Sequence, residues 1–184
     1  KNMEITKSIF REYDIRGIYP DEINEKVMTN IAKGIAVKCQ REGVSEICVG
    51  RDGRISGKNL LTSLSKSLES HGINVINLGL VTTPLLYFGS QKQESKSGVM
   101  ITGSHNPKNY NGVKIIINDK PVSGSEIYNL IDIDATIPDK LGVTSFQDIK
   151  EEYINEVKEN IDLKSAKKIK VVIDCGNGAA GCIA

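Results

Sequence analysis

Apolar and polar residues along the N-terminal part of the chain follow first a helical and then a strand pattern. Residues 24–40 place apolar side chains three and four positions apart, which predicts an amphipathic helix ended by Gly43. Residues 46–50 form a short apolar run, which predicts a buried strand. We expect Ser56 to cap a second helix that ends before Gly72, where a left-handed residue suits the helix end. The repeating unit is therefore strand, loop and helix.

The same alternation continues to the end of the chain. Further strands are predicted at residues 74–80, 97–101, 113–117 and 169–174. Further helices are predicted at 85–90, from Ser123 as the cap through Ile131, and at 146–161. Alternating strands and helices predict the α/β fold class, with a sheet sandwiched between helices.

The last predicted strand indicates a second domain. It leads into a glycine-rich turn, and the sequence stops three residues after Gly181. A strand and a turn cannot bury their apolar faces without further elements. We therefore expect one domain over residues 1–149, and a connecting helix with the truncated start of a second domain over 150–184.

Composition and charge exclude several classes of protein. The 184 residues are 39% hydrophobic and 26% charged, as expected for a soluble globular protein. The net charge is +1, so no overall field gathers nucleic acid or an anionic membrane, and an anion must be bound locally. No apolar run approaches the ~20 residues of a membrane span, and the first residues lack a signal peptide's apolar segment. A cytoplasmic location is the expectation.

The cysteines and histidines do not suggest a metal centre. No Cys-x-x-Cys pair occurs, and no histidine lies near a cysteine at ligand spacing. With only His71 and His105, a histidine-rich site is disfavoured. We expect buried thiols at Cys39, Cys48, Cys175 and Cys182.

The loop after the 97–101 strand carries the most chemistry. Ser104 lies between Gly103, which permits unusual backbone angles, and an Asn-Pro pair that favours a turn. His105 follows directly, and Lys114 lies on the next strand, so a hydroxyl, an imidazole and an ammonium group can share one site. A serine hydroxyl needs a base or a loaded state to react. The alternative is a plain turn held by local hydrogen bonds.

Arginines in glycine-bearing turns suggest phosphate binding. Arg16, Arg51 and Arg54 have guanidinium groups that suit phosphate oxygens. The alternative for each is a surface ion pair, for which Asp14 and Asp52 are the nearest acidic residues. Serine, lysine and arginine together indicate phosphoryl chemistry.

Four segments together resemble the α-D-phosphohexomutase superfamily, and most closely its bacterial phosphomannomutase/phosphoglucomutase branch. They are YDIRG at 13–17, GRDGRISG at 50–57, TGSHNP at 102–107 with YNGVK at 110–114, and VVIDCGNG at 171–178. The resemblance implies a layered helix–sheet–helix domain with a mixed sheet, followed by the first strand of a second similar domain.

The resemblance also implies a reaction and its residues. Ser104 would be carried as phosphoserine and give its phosphoryl group to a hexose 1- or 6-phosphate, with a hexose 1,6-bisphosphate as intermediate and activator. Lys114 would be the general acid/base, and His105 a further catalytic candidate in the serine loop. The phosphate-side candidates are Tyr13, Arg16 and Asn106; for Tyr13 the alternative is packing against the serine loop.

The same resemblance implies parts that these 184 residues lack. Mg²⁺ would be held by the phosphate on Ser104 and by an Asp-Gly-Asp-Gly-Asp loop of the second domain, which does not occur in this sequence. The sugar-recognition loop and the phosphate clamp of later domains are also missing. We therefore expect the chain to need the remaining domains of a parent enzyme for turnover. Gly103 and Tyr110 favour the mannose/glucose branch over the glucosamine branch.

Three other functions compete with this interpretation. The glycines at 176, 178 and 181 match a dinucleotide-binding fingerprint, but the acidic residue expected ~20 positions later falls beyond the sequence. A second alternative is a stand-alone sugar-phosphate or anion-binding module without turnover. A Ser-His hydrolase is disfavoured because His105 directly follows Ser104 and no Gly-x-Ser-x-Gly elbow occurs.

Overall fold

A single mixed β-sheet organises the part of the chain that the computed structural model describes, residues 5–136, 138–162 and 168–184. The strand order is β1-β5-β4-β2-β3-β7, with β6 paired to β5. The strands are β1 (Ile15–Ile18), β2 (Glu46–Arg51), β3 (Asn74–Leu80), β4 (Gly98–Ile101), β5 (Tyr110–Ile117), β6 (Lys120–Val122) and β7 (Thr144–Phe146). The helices are α1 (Glu25–Arg41), α2 (Gly57–Ser70), α3 (Thr83–Gln91), α4 (Gly124–Tyr128) and α5 (Lys150–Glu159).

The sheet is parallel in its centre and antiparallel on one side. Strand β2 pairs in parallel with β3 and β4, and β3 with β7, whereas β5 is antiparallel to β1, β4 and β6. The carboxyl ends of β2 and β4 are neighbours, because Arg51 pairs with Ile101. Loops that follow these ends therefore meet at one edge, where open α/β sheets usually bind ligands.

Helices cover both faces of the sheet, as the α/β prediction requires. Alternate residues of β2 enter different apolar clusters: Ile47 and Val49 pack with residues of α1 and α2, while Cys48 packs with residues of α3. This period of two is the pattern of a strand buried on both sides. The predicted layered fold with a mixed sheet is confirmed.

Several predicted helix ends are confirmed and one cap is wrong. Gly43 and Gly72 have φ angles of +71° and +78°, and the Ser123 side chain accepts a hydrogen bond from the Glu126 amide at 3.1 Å. The Ser56 hydroxyl instead accepts from the Asn111 side chain at 2.8 Å and makes no cap bond to α2. The buried Asn111 side chain therefore binds the hydroxyl that the sequence predicted as the cap of α2.

Two elements near the C-terminal end differ from the prediction. The helix predicted over 146–161 begins only at Lys150, because Phe146 pairs with Asn77 as the last residue of β7. The predicted helix from Ser123 through Ile131 is the shorter α4. The strand predicted at 169–174 is not formed within the described residues, and Val172 is 96% exposed. An apolar strand needs a neighbouring strand and a covering layer, which the described residues do not supply there.

Two of the four cysteines are buried. Cys39 lies in α1 and Cys48 in β2, and burial raises the pKa of both thiols to about 12. The expectation of buried thiols is wrong for Cys175, which is half-buried, and for Cys182, which is exposed.

We expect iodoacetamide at pH 8 to label Cys182 in the folded protein and to reach Cys39 and Cys48 only after unfolding, because the thiolate is the nucleophile. The two raised pKa values also mean that these thiols ionise more easily in the unfolded chain than in the folded protein. The free energy of unfolding therefore falls as pH rises from ~8.5, where the unfolded thiols ionise, towards about 12, where the folded thiols ionise. Mass spectrometry of labelled peptides and unfolding curves at several pH values measure both effects. Labelling of Cys39 in the folded protein at the rate of Cys182 would contradict the structure.

The close approach of β1 to β5 depends on Gly112. A Cβ atom at this position would lie 2.0 Å from the Ile15 carbonyl oxygen and 3.0 Å from the Arg16 Cα atom. We expect Gly112→Ala to lower the free energy of unfolding by about 3 kcal/mol or more, because only separation of the strands relieves the clash. Gly53→Ala is the control, since nothing lies within 4 Å of its Cβ position. Denaturant unfolding measures both, and equal stabilities would refute the tight pairing.

Candidate active site

Ser104 lies in the loop that leaves the carboxyl end of β4. Its backbone adopts a left-handed conformation with φ of +54°, which is uncommon outside glycine. The Ser104 amide donates to the Thr102 hydroxyl at 2.8 Å, and the Asn106 amide donates to the Gly103 carbonyl at 3.0 Å. The side chain of Ser104 is exposed at the sheet edge, as a group that reacts with a bound ligand has to be.

His105 is close to the serine hydroxyl. The Ser104 Oγ and His105 Nδ1 atoms are 3.3 Å apart, and both residues are exposed. The expectation that adjacency in the chain keeps the imidazole from its neighbour's hydroxyl is therefore wrong. The left-handed backbone at Ser104 is the local feature that accompanies this contact.

A second group of residues is held by the pairing of β1 with β5. Arg16 lies opposite Gly112, so Lys114, two residues further on, projects from the same face of the sheet. The buried Asp14 carboxylate pairs with the Arg16 guanidinium, and the Lys114 ammonium lies 3.9 Å from the same oxygen. Two cations share one carboxylate, so the group keeps one unit of positive charge.

Asn106 connects this cationic group to the serine loop. Its side-chain oxygen accepts a hydrogen bond from Arg16 Nη1 at 2.7 Å. The structure thus brings three predicted site residues together: Asp14 joins Arg16 to Lys114, and Arg16 binds Asn106. The sequence suggested Asp14 only as a partner of Arg16, because no local pattern relates it to a lysine 100 positions away.

Two arginines, Arg51 at the end of β2 and Arg54 in the loop after it, lie near the site, and Arg54 has no free donor. All five N–H donors of Arg54 are occupied, one by Asp52, three by carbonyl oxygens of the serine loop and one by the carbonyl oxygen of Tyr110 at the start of β5. Arg51 donates to the Asp52 carbonyl oxygen at 3.0 Å. The interpretation of Arg54 as a phosphate ligand is therefore wrong, and the alternative of an ion pair with Asp52 is confirmed, with N and O atoms 3.2 Å apart.

Tyr13 does not pack against the serine loop, since the residue is 79% exposed.

Asp52 is a residue of this site for which the sequence suggested only an ion pair. One of its carboxylate oxygens accepts from the Thr102 hydroxyl at 2.8 Å and from the Gly103 amide at 3.3 Å, so it fixes the start of the serine loop.

These residues do not form a Mg²⁺ site by themselves. Asp14 and Asp52, the acidic residues that contact the site, are already paired with arginines. Within residues 5–136, 138–162 and 168–184, no three His, Cys, Asp or Glu side chains cluster at metal-binding distances. A phosphate on Ser104 would be the oxygen donor that this chain could add to carboxylates from elsewhere.

No helix among the described residues is long and apolar enough to cross a bilayer.

Comparison with known proteins identifies the family that this fold and site define. Residues 7–136 match the family model for the alpha/beta/alpha domain I of phosphoglucomutase/phosphomannomutase. The chain therefore belongs to the phosphoglucomutase/phosphomannomutase family, and the resemblance to the phosphohexomutases is confirmed.

Individual relatives agree with this assignment. A phosphoglucomutase of Neisseria gonorrhoeae is 40% identical over an alignment of 184 positions that covers 98% of this chain and 40% of the relative. A phosphomannomutase/phosphoglucomutase of Pseudomonas syringae is 40% identical over an alignment of 179 positions that covers 96% of this chain and 38% of the relative. The crystal structure of a phosphoglucomutase/phosphomannomutase family protein from Burkholderia thailandensis has a TM-score of 0.88 at 30% identity, covering 98% of this chain and 41% of that one. The chain thus spans about two fifths of these relatives.

Proposed function

We propose that this chain supplies the serine-bearing domain of a phosphohexose mutase, which moves a phosphoryl group between the 1- and 6-positions of glucose or mannose phosphate. The observation that carries the proposal is the placement of Ser104. Its exposed hydroxyl lies at the sheet edge, and Asn106 of the same loop binds Arg16 of the Arg16–Asp14–Lys114 group. The names of the Neisseria and Pseudomonas relatives support the same reaction.

The proposed reaction exchanges one phosphoryl group for another. Ser104 carries a phosphate, and the free hydroxyl of the hexose monophosphate attacks its phosphorus. The bond from phosphorus to Ser104 Oγ breaks as the bond to the sugar oxygen forms, which gives a hexose 1,6-bisphosphate. After the bisphosphate reorients in the site, its other phosphoryl group is transferred to Oγ, so no net phosphate is consumed.

Lys114 is proposed to handle the proton of this exchange. Its amine takes the proton of the attacking sugar hydroxyl and gives one back to the sugar oxygen that leaves in the second transfer. Asp14 holds the Lys114 side chain next to Arg16, so the acid/base group and the phosphate-side cation stay in fixed relation. A transferring phosphoryl group spreads negative charge over its oxygens, and as Lys114 takes up the proton the group of Arg16, Asp14 and Lys114 gains one positive charge, which favours the transition state.

The other candidates act around this centre. His105, at 3.3 Å from Ser104 Oγ, is placed to donate a hydrogen bond to that oxygen when the phosphoryl group leaves it. Asn106 orients Arg16, and the exposed Tyr13 is available to a substrate that enters from solvent. Mg²⁺, held by the phosphate of Ser104 and carboxylates outside this chain, would neutralise charge on that phosphate.

The domain arrangement is part of the proposal. Residues 1–149 form the domain that carries the serine, and residues 150–184 lead into a second domain, for which the exposed apolar side chains of 169–173 would form the first strand. Metal carboxylates and sugar contacts would come from such domains. We expect residues 1–184 alone to lack turnover.

The experiment is a coupled assay with α-glucose 1-phosphate and α-mannose 1-phosphate, Mg²⁺ and a trace of hexose 1,6-bisphosphate. The complete polypeptide that contains this chain is compared with residues 1–184. Turnover by the complete polypeptide supports the proposal, and equal turnover by residues 1–184 would refute the need for further domains. Binding of the sugar phosphate by the complete polypeptide without any turnover would favour an anion-binding module instead.

A further inference from the structure

Arg54 lies against the serine loop, residues 102–109, and binds three of its carbonyl oxygens and that of Tyr110 at the start of β5. Nη1 donates to the carbonyl oxygens of Pro107 at 2.6 Å and Tyr110 at 2.9 Å. Nη2 donates to the carbonyl oxygens of Ser104 at 3.1 Å and Asn106 at 2.7 Å. The fifth donor, Nε, binds Asp52 at 3.2 Å. Every hydrogen-bonding group of the guanidinium is therefore committed to the protein.

Asp52 fixes both this arginine and the start of the loop. Its Oδ2 atom accepts from Arg54 Nε, the Thr102 hydroxyl and the Gly103 amide, and its Oδ1 atom accepts from the Arg54 amide at 3.1 Å. The Asp52 side chain is 20% and the Arg54 side chain 13% exposed, so water competes little for these bonds. The loop is attached at its start by the carboxylate and further along by the guanidinium.

Gly103 permits the arginine to come this close. A Cβ atom on Gly103 would lie 2.3 Å from Arg54 Cζ, a distance that no side chain tolerates without displacing the guanidinium. The neighbouring Ser104 has a φ of +54°, a conformation that persists only where its surroundings impose it. The bond from Nη2 to the Ser104 carbonyl supplies such a constraint on the strained residue itself.

We propose that Arg54 is a positioning residue for phosphoryl transfer: it holds the loop of Ser104 in its reactive conformation and does not bind the phosphate. This inference rests on the proposed mutase function. Carbonyl oxygens bound to a guanidinium have their negative charge offset by a cation, so the loop can accept a phosphate on Ser104 with less repulsion. Asn106 extends the effect, because its carbonyl binds Arg54 while its side chain binds Arg16.

Lysine cannot replace this arginine. A lysine retains the charge, but its three donors on one nitrogen cannot reach four carbonyls and a carboxylate arranged around a planar fork. In the complete polypeptide we expect Arg54→Lys to lower kcat about 100-fold, the cost of a slightly misplaced reacting group, with KM changed less than about threefold. Lys58→Ala, which removes an exposed cation four residues away, is the matched control and should retain both constants.

Two further variants separate positioning from folding. Gly103→Ala retains Arg54, but the added Cβ atom displaces its guanidinium from the loop. We expect the same loss of kcat, with a cooperative thermal transition retained. Arg54→Ala should regain activity when millimolar guanidinium ion is added, whereas Ser104→Gly should not. Wild-type kcat in either Arg54→Lys or Gly103→Ala, or a loss confined to KM, would overturn the inference.

Amide hydrogen exchange measures how well the loop is ordered and does not depend on turnover. We expect amides of residues 103–110 to exchange about tenfold faster or more in Arg54→Lys than in the wild type, as for the loss of one net hydrogen bond. Exchange in α1 of the same variant should be unchanged. Exchange in the loop of Lys58→Ala should also be unchanged. An inactive wild type with this exchange pattern would refute the mutase function and keep the loop assignment. Unchanged exchange in the loop would refute the assignment whatever the activity.

Discussion

Replacement of Ser104 by glycine is expected to abolish mutase activity of the complete polypeptide while the fold is retained. The variant lacks the oxygen atom that carries the phosphoryl group on the protein in the proposed mechanism, so we expect kcat to fall by roughly 10⁴- to 10⁶-fold, the range seen when a serine nucleophile or its partner is removed. Coupled assays with high enzyme concentration measure the residual rate.

Glycine is chosen because of the backbone at this position. Ser104 has a φ of +54°, which glycine adopts without steric cost, so stability should change by no more than about 1 kcal/mol. Ser104→Thr is the companion variant, which keeps a hydroxyl but puts a β-branched residue in the left-handed region. Activity of the glycine variant within tenfold of the wild type would show that Ser104 is not the phosphoryl carrier.

Replacement of Lys114 by methionine is the second large effect. Methionine keeps most of the side-chain volume but cannot accept or donate the proton, and loss of a general acid/base costs about 10²- to 10⁴-fold. Because Arg16 retains its pairing with Asp14 and its bond to Asn106, we expect the loss in kcat and a smaller change in KM. Steady-state kinetics with both hexose phosphates measure the two constants.

Two variants control for charge. Lys114→Arg keeps the positive charge next to Asp14 but holds its proton, so it should be nearly as slow as Lys114→Met. Lys120→Ala removes an exposed cation from the same hairpin and should keep wild-type rates. A Lys114→Met enzyme that is slowed less than about tenfold, or an arginine variant with full activity, would exclude the acid/base role.

Elements with strong periodicity and clear ends were predictable from the sequence. Strand β3 spans the predicted residues 74–80, and α1 and α2 end before Gly43 and Gly72, both in the left-handed region. The short strands β1, β6 and β7 have three or four residues each, too few for a period of two to emerge. Their formation depends on partners elsewhere in the chain, such as Val113 opposite Ile15.

The sequence suggested the residues of the candidate site, which stay a prediction, but not the contacts between them. The loop of Ser104, with Arg16 and Lys114, follows from the residue types and the resemblance. The contacts that organise it join distant positions: Arg54 binds the carbonyl of Pro107, 53 residues away, and Asp14 faces Lys114, 100 residues away. A guanidinium that binds phosphate and one that binds a loop have the same appearance in a sequence, and only the occupied donors separate them.

The most direct test of the proposed function is the location of phosphate in the complete polypeptide. The protein is dephosphorylated, incubated with glucose 1,6-bisphosphate and Mg²⁺, and analysed by intact mass and by peptide mapping across residues 98–114. We expect one added phosphate, on Ser104, which is lost again when excess glucose 1-phosphate is supplied. Mutase turnover with Ser104 unmodified, or with the phosphate on another residue, would contradict it.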